Sequence, residues 1–205
     1  MNEKNILLAA RAVSLLFTPY YLPVVALIAL FTFSYLSMLP VGYKLLMVLS
    51  VYMSTVLFPT LLVHAYRQYH GWTPIQLGQK ERRAVPYVIS ILCYFLCYYL
   101  MLVAHVPHVI NSLIVAALAI QVLCALINVW WAVSTHSAAI GGVTGGLLSF
   151  SLIFNFNPIW WLCVTTLLAG TVGTSRMILR QHTLSQVLTG YALGLLTAFI
   201  IILIV

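Results

Sequence analysis

Residues 109–131 read VINSLIVAALAIQVLCALINVWW, with no charged side chain anywhere in the stretch. At about 1.5 Å per residue a helix of this length crosses the roughly 30 Å of hydrocarbon in a bilayer. Just before it stand His105-Val106-Pro107-His108, and before those a second apolar stretch over about 87–104. So short a connection forces the two stretches into an antiparallel hairpin.

The rest of the chain has the same character. Of its 205 residues 63% are hydrophobic and 5% charged, too few ionic groups to clothe a water-facing surface. Further apolar stretches lie at about 20–38, 43–65, 137–154, 159–175 and 182–205. With no soluble insert between them, residues 1–205 are expected to form a single transmembrane domain, an all-α polytopic bundle of six to seven spans. Residues 1–19 carry Lys4 and Arg11 on an apolar pattern ahead of Pro19 and Pro23, which predicts an amphipathic interfacial helix leading into the first span. Arg11 also interrupts the first apolar run, so a cleaved secretory signal is not expected. Cys93, Cys97, Cys124 and Cys163 all lie in apolar runs and read as small core residues. Gly141/Gly145, Gly142/Gly146 and Gly190/Gly194 have the spacing that lets helix backbones approach closely.

Charge and composition narrow the chemistry. There is no aspartate, and Glu3 and Glu81 are the only carboxylates, which excludes paired-acid hydrolysis and carboxylate metal cages; no metal and no cofactor are expected. The formal charge of +7 comes from nine Lys and Arg, too sparse for nucleic acid and suited to anionic lipid or an anionic substrate. Counting crossings sends the polar loop 66–86, Ser134-Thr135-His136 and Ser175-Arg176 to one membrane face. Lys4, Arg11, Arg67, Lys80, Arg82, Arg83, Arg176 and Arg180 fall on that side, and Lys44 alone falls opposite. The loop-charge rule by itself makes this face cytoplasmic, but charges kept to hold an anion say little about insertion, so orientation stays open.

Three polar units sit on the shared face. In Ser175-Arg176-Met177-Ile178-Leu179-Arg180-Gln181-His182-Thr183-Leu184-Ser185-Gln186 an Arg closes one helix and a His opens the next, with His182 and Gln186 four apart and able to meet on a helix. In Ser134-Thr135-His136-Ser137, Ser134 is a good helix cap and the N–H groups after it make an anion-binding end. Lys80-Glu81-Arg82-Arg83 places three cations beside a span, at the level of a lipid headgroup. Taken singly, each unit has a plainer explanation: an interfacial anchor, a cap, a packed histidine. Together on one face they predict a phosphate site.

These residues resemble the motifs of the type 2 phosphatidic acid phosphatase superfamily, the membrane relatives of bacterial acid phosphatases and vanadium haloperoxidases, over roughly residues 80–194. The family pattern Ser-Arg-x5-His-x3-Asp is met by Ser175, Arg176 and His182, with Gln186 in the place of Asp. Pro-Ser-Gly-His is similar to Val133-Ser134-Thr135-His136, without the Pro and Gly. Lys-x6-Arg-Pro is reduced to Lys80-x-x-Arg83-x-x-Pro86. The resemblance implies an acid phosphatase/haloperoxidase-like core and a metal-independent lipid phosphatase of the bacterial inner membrane. His182 would be the nucleophile, oriented by Gln186, and His136 the acid. Lys80, Arg82, Arg83, Ser134, Thr135, Ser175 and Arg176 would hold the phosphate. Gln186 can orient the imidazole but supplies no charge, which keeps a second possibility in play: a lipid-phosphate binder or transporter with the same anion pocket and weak or no turnover. Trp72, Trp130 and Trp131 suit an interfacial site, and Arg67, Gln68, His70, Gln76 and Gln79 are placed to choose among headgroups. The expected partners are a lipid phosphate and membrane lipid.

Overall fold

A computed structural model describes residues 3–71 and 84–205, and every regular element among them is helical. We number the helices α1 (Glu3–Leu16), α2 (Leu22–Phe33), α3 (Val41–Tyr69), α4 (Ala84–Val103), α5 (His108–Trp130), α6 (Thr135–Phe154), α7 (Ile159–Ile178) and α8 (Leu184–Ile204). Five of them, α3, α4 from Val85, α5, α6 and α8, are long and apolar enough to cross a membrane. Large apolar side chains such as Leu45, Leu46, Leu100, Leu167 and Ile204 point outward, while Ser54, Thr55, Asn111, Ser134, Thr144, Ser149 and Ser175 are buried. Polar groups inside and greasy groups outside are what a hydrocarbon solvent requires. The three cysteines Cys93, Cys97 and Cys124 are buried and unbridged, and Cys163 is exposed and unbridged.

Two of the seven expected spans take a different form. The stretch 20–38 is divided: α2 stops at Phe33, and a short 3-10 turn covers Tyr35–Met38. Ser34 makes the division. Its backbone is extended, its hydroxyl donates to the Leu30 carbonyl at 2.6 Å, and the same oxygen accepts from the Leu36 N–H, so a side chain replaces the next helical bond. The second case, α7, has the length of a span but carries Thr165, Thr166, Thr171, Thr174 and Ser175 along it. Within α3, the five residues Met53–Leu57 widen into a π-helical turn directly before Phe58-Pro59. Proline has no N–H to give and its ring crowds the carbonyl four residues back, and a wider turn relieves both.

Helices α4 and α5 form the expected hairpin, with the Tyr87 hydroxyl near the start of α4 accepting from Asn128 Nδ2 near the end of α5 at 3.1 Å. Helices α6 and α8 run parallel: Gly190 faces Ser134, Gly194 faces Ala138 and Gly145 faces Leu195, and Ser149 Oγ donates to the Phe199 carbonyl at 2.9 Å. A Cβ on Gly141, Gly145 or Gly194 would collide with the partner's backbone carbonyl, so the predicted close approach is made here by these residues. Since α6 and α8 point the same way, α7 between them returns the chain along their full length. At the end where α6 and α8 begin, Trp130 and Trp131 are exposed, and at the other end Trp160 and Trp161 are, giving one aromatic belt at each end.

Candidate functional site

The site is assembled from helix ends. Helix α7 closes in a turn where the Gln181 N–H donates to the Arg176 carbonyl at 3.1 Å and the Arg180 N–H to the Met177 carbonyl at 2.9 Å. This is the Schellman pattern, with Arg180 at φ 53° in the left-handed position that glycine usually takes. The chain reverses within a few residues and delivers His182 beside the strand-like link ahead of α6.

His182 precedes α8 instead of lying on it, which corrects the helical-face argument for its meeting with Gln186. Thr183 is the cap residue, and Gln186, in the first turn, sends its amide oxygen back to accept from the Thr183 N–H at 3.1 Å. The meeting occurs all the same: His182 Nδ1 lies 3.3 Å from Gln186 Oε1 and 3.2 Å from the Ala132 carbonyl oxygen. Both neighbours are oxygens that accept, so Nδ1 carries the proton and donates, and the ring's lone pair falls on Nε2. The Ser134 N–H donates to the Gln186 carbonyl at 3.2 Å, which ties the two helix starts together through the backbone.

His136 sits on the first turn of α6, half-buried, within electrostatic reach of both Arg176 and His182 and against the backbone of Ser14. Its Nδ1 is buried without a hydrogen-bonding partner. Arg176, also half-buried, donates from Nη1 to Ser14 Oγ at 2.7 Å, and its Nε is a second buried donor without a partner. Tyr87 lies within electrostatic reach of the same guanidinium, which brings the start of α4 to this corner. Orphaned buried polar atoms are uncommon in folded proteins, and two of them here flank one small region.

Two histidines and one arginine from two separated stretches therefore converge, with Gln186 in support. The other residues expected to touch phosphate fare differently. The Ser134 hydroxyl is wholly buried as the cap of α6, accepting from the Ser137 N–H at 3.3 Å and from the Ser137 hydroxyl at 2.9 Å. Ser175 is buried with its hydroxyl donating to the Val172 carbonyl of its own helix at 2.7 Å. Thr135 opens α6 next to His136. Lys80, Arg82 and Arg83, with Trp72, Gln76 and Gln79, lie outside the described residues. At the end of α3, His64 is in hydrogen-bonding range of Arg67 and Gln68, at 3.3 and 3.0 Å.

Ser14 went unnoticed in the sequence. It is a buried serine on α1, 162 positions from the arginine it accepts from, in a helix whose pattern suggests only an interface. Helix α1 in fact packs against α7, with Val13 and Phe17 beside Ile140 and Val172. Comparisons with protein-family models, with curated proteins and with solved structures give no match to this chain.

Proposed function

We propose that the protein is a membrane-embedded, metal-independent lipid phosphate phosphatase working through a phosphohistidine. The observation that carries this reading is the orientation of His182, whose Nδ1 faces two accepting oxygens and so keeps the ring's lone pair on Nε2, with His136 and Arg176 in the same electrostatic neighbourhood. His182 Nε2 attacks phosphorus in line, the phosphorus–oxygen bond to the lipid breaks, and His136 gives its proton to the departing alkoxide. Water then attacks the phosphohistidine and gives a proton back to His136, the phosphorus–nitrogen bond breaks, and inorganic phosphate leaves with His182 returned. Arrival of the phosphate brings the negative charge that a protonated His136 needs beside Arg176. Arg176 would leave Ser14 to hold the equatorial oxygens, joined by Lys80, Arg82 and Arg83, where charge stabilisation is the main catalytic contribution.

The same reading takes α7 as a sixth crossing, since it runs back between two parallel spans, and takes residues 80–194 as a phosphatase-like core in a cell membrane, the bacterial inner membrane in particular. Phosphate release from a panel of lipid phosphates in detergent, with chelator present, tests it. Wild type should release phosphate, and His182→Ala should lose roughly 10⁴-fold or more. Gln186→Asp should hold or raise the rate, because a carboxylate keeps the contact to Nδ1 and adds charge; a hundredfold drop would break the assigned geometry. A second reading, a binder or transporter of lipid phosphate without turnover, is favoured by the neutral Gln186. Equal background release from wild type and His182→Ala, with lipid binding retained, would select it.

A further inference from the structure

Beside the site, between α2, α5 and α6, lies an apolar cavity of about 210 Å³. Its wall on α6 runs from Thr135, the residue before His136, through Ala139, Val143 and Phe150 to Phe154, and along α2 and its flanks from Pro19 through Ala26 to Ser34. From Thr135 to Phe154 is nineteen helical steps, or roughly 29 Å, close to the full hydrocarbon thickness of a bilayer and about twice one leaflet. The cavity is narrow for that length. An apolar hole of about 150 Å³ takes one benzene, so this one encloses on the order of eight carbons, a stretch of one chain and not two chains side by side.

We propose that this groove receives a single hydrocarbon tail of the lipid whose phosphate sits at His136, Arg176 and His182. The proposal deepens the phosphatase reading and rests on it for the position of the head. Two observations join head and tail: the groove begins at the residue adjoining His136, and its wall ends at aromatic rings, Phe150 and Phe154, stacked at 5.7 Å. Small side chains at Ala26 and Ala139 keep the bore open near the head. A lipid with two acyl chains would have one tail outside, so the preferred substrate class is a phosphate or pyrophosphate on one hydrocarbon chain.

The test is photo-crosslinking of the full protein in nanodiscs with long-chain alkyl phosphates carrying a diazirine at a chosen carbon, followed by peptide mapping. A diazirine near the head should label the turns around Ala26 and Ala139, and one near the chain end the turn around Phe150 and Phe154. Ala139→Phe and, separately, Ala26→Phe should cut labelling beyond the blockage at least tenfold. The same alkyl chain as a free alcohol should label the groove at least tenfold less than the phosphate. Label spread over lipid-facing side chains such as Leu45, Leu100 and Leu167, or equal labelling by the alcohol, would overturn the proposal. Phosphate release is read in parallel: ordered labelling without hydrolysis breaks the phosphatase reading and leaves the groove standing.

Discussion

Helix α6 has two faces built from the same small residues, and they do opposite things. Gly141 and Gly145 turn toward α8, where a Cβ on either would strike a backbone carbonyl, so that face is shut. Gly142 and Gly146, one position on and with identical spacing, border the apolar cavity together with Ala139, and what they face there is movable side chain, not backbone. Small-residue spacing therefore says that something comes close to the helix without saying what. On one face the neighbour is another backbone, which fixes the two helix starts beside His182 and His136 against each other. On the other it is the tip of a side chain, Ile120 at Gly142 and Ile202 at Gly146, along the cavity wall.

Substitutions that add one methyl group test this contrast directly. Gly141→Ala should have the largest effect, about 3 kcal/mol of destabilisation or more, read as a fall in the thermal unfolding midpoint in detergent, because only separation of two backbones relieves the overlap. A midpoint within a degree of wild type would mean the seam is not closed. Gly142→Ala meets the tip of the Ile120 side chain at 2.6 Å, and a rotamer change can absorb that, so about 1 kcal/mol is expected. Gly170→Ala, on α7, meets nothing within 4 Å and should leave stability unchanged or raise it by up to about 1 kcal/mol through helix propensity. If Gly142→Ala proved as damaging as Gly141→Ala, the two faces would have to be regarded as alike.

Much of the architecture could be read from residue order alone. Apolar length and loop length are local properties, so the hairpin of α4 and α5 and the arrival of 134–136, 175–176 and 182–186 at one end followed from counting crossings. The cap at Ser134 was equally plain, since it depends on three successive residues. What escaped was lateral. Nothing near Ser14 announces that it faces Arg176, and nothing in the glycine pairs tells which lies against α8. The π turn before Pro59 was overlooked although the proline was there to suggest it. His182 and Gln186 meet as foreseen, but through the turn that starts α8, because a threonine cap at position 183 competes with continuing the helix one residue earlier.

The parallel run of α6 and α8 carries an electrostatic consequence. Each helix behaves as a macrodipole with roughly half an elementary charge at either terminus, so two positive poles lie side by side near His136 and His182, summing to about one charge that belongs to no side chain. Like poles repel, and more strongly in surroundings of low permittivity. An anion seated between them turns that repulsion into attraction, so the seam and the ligand stabilise each other.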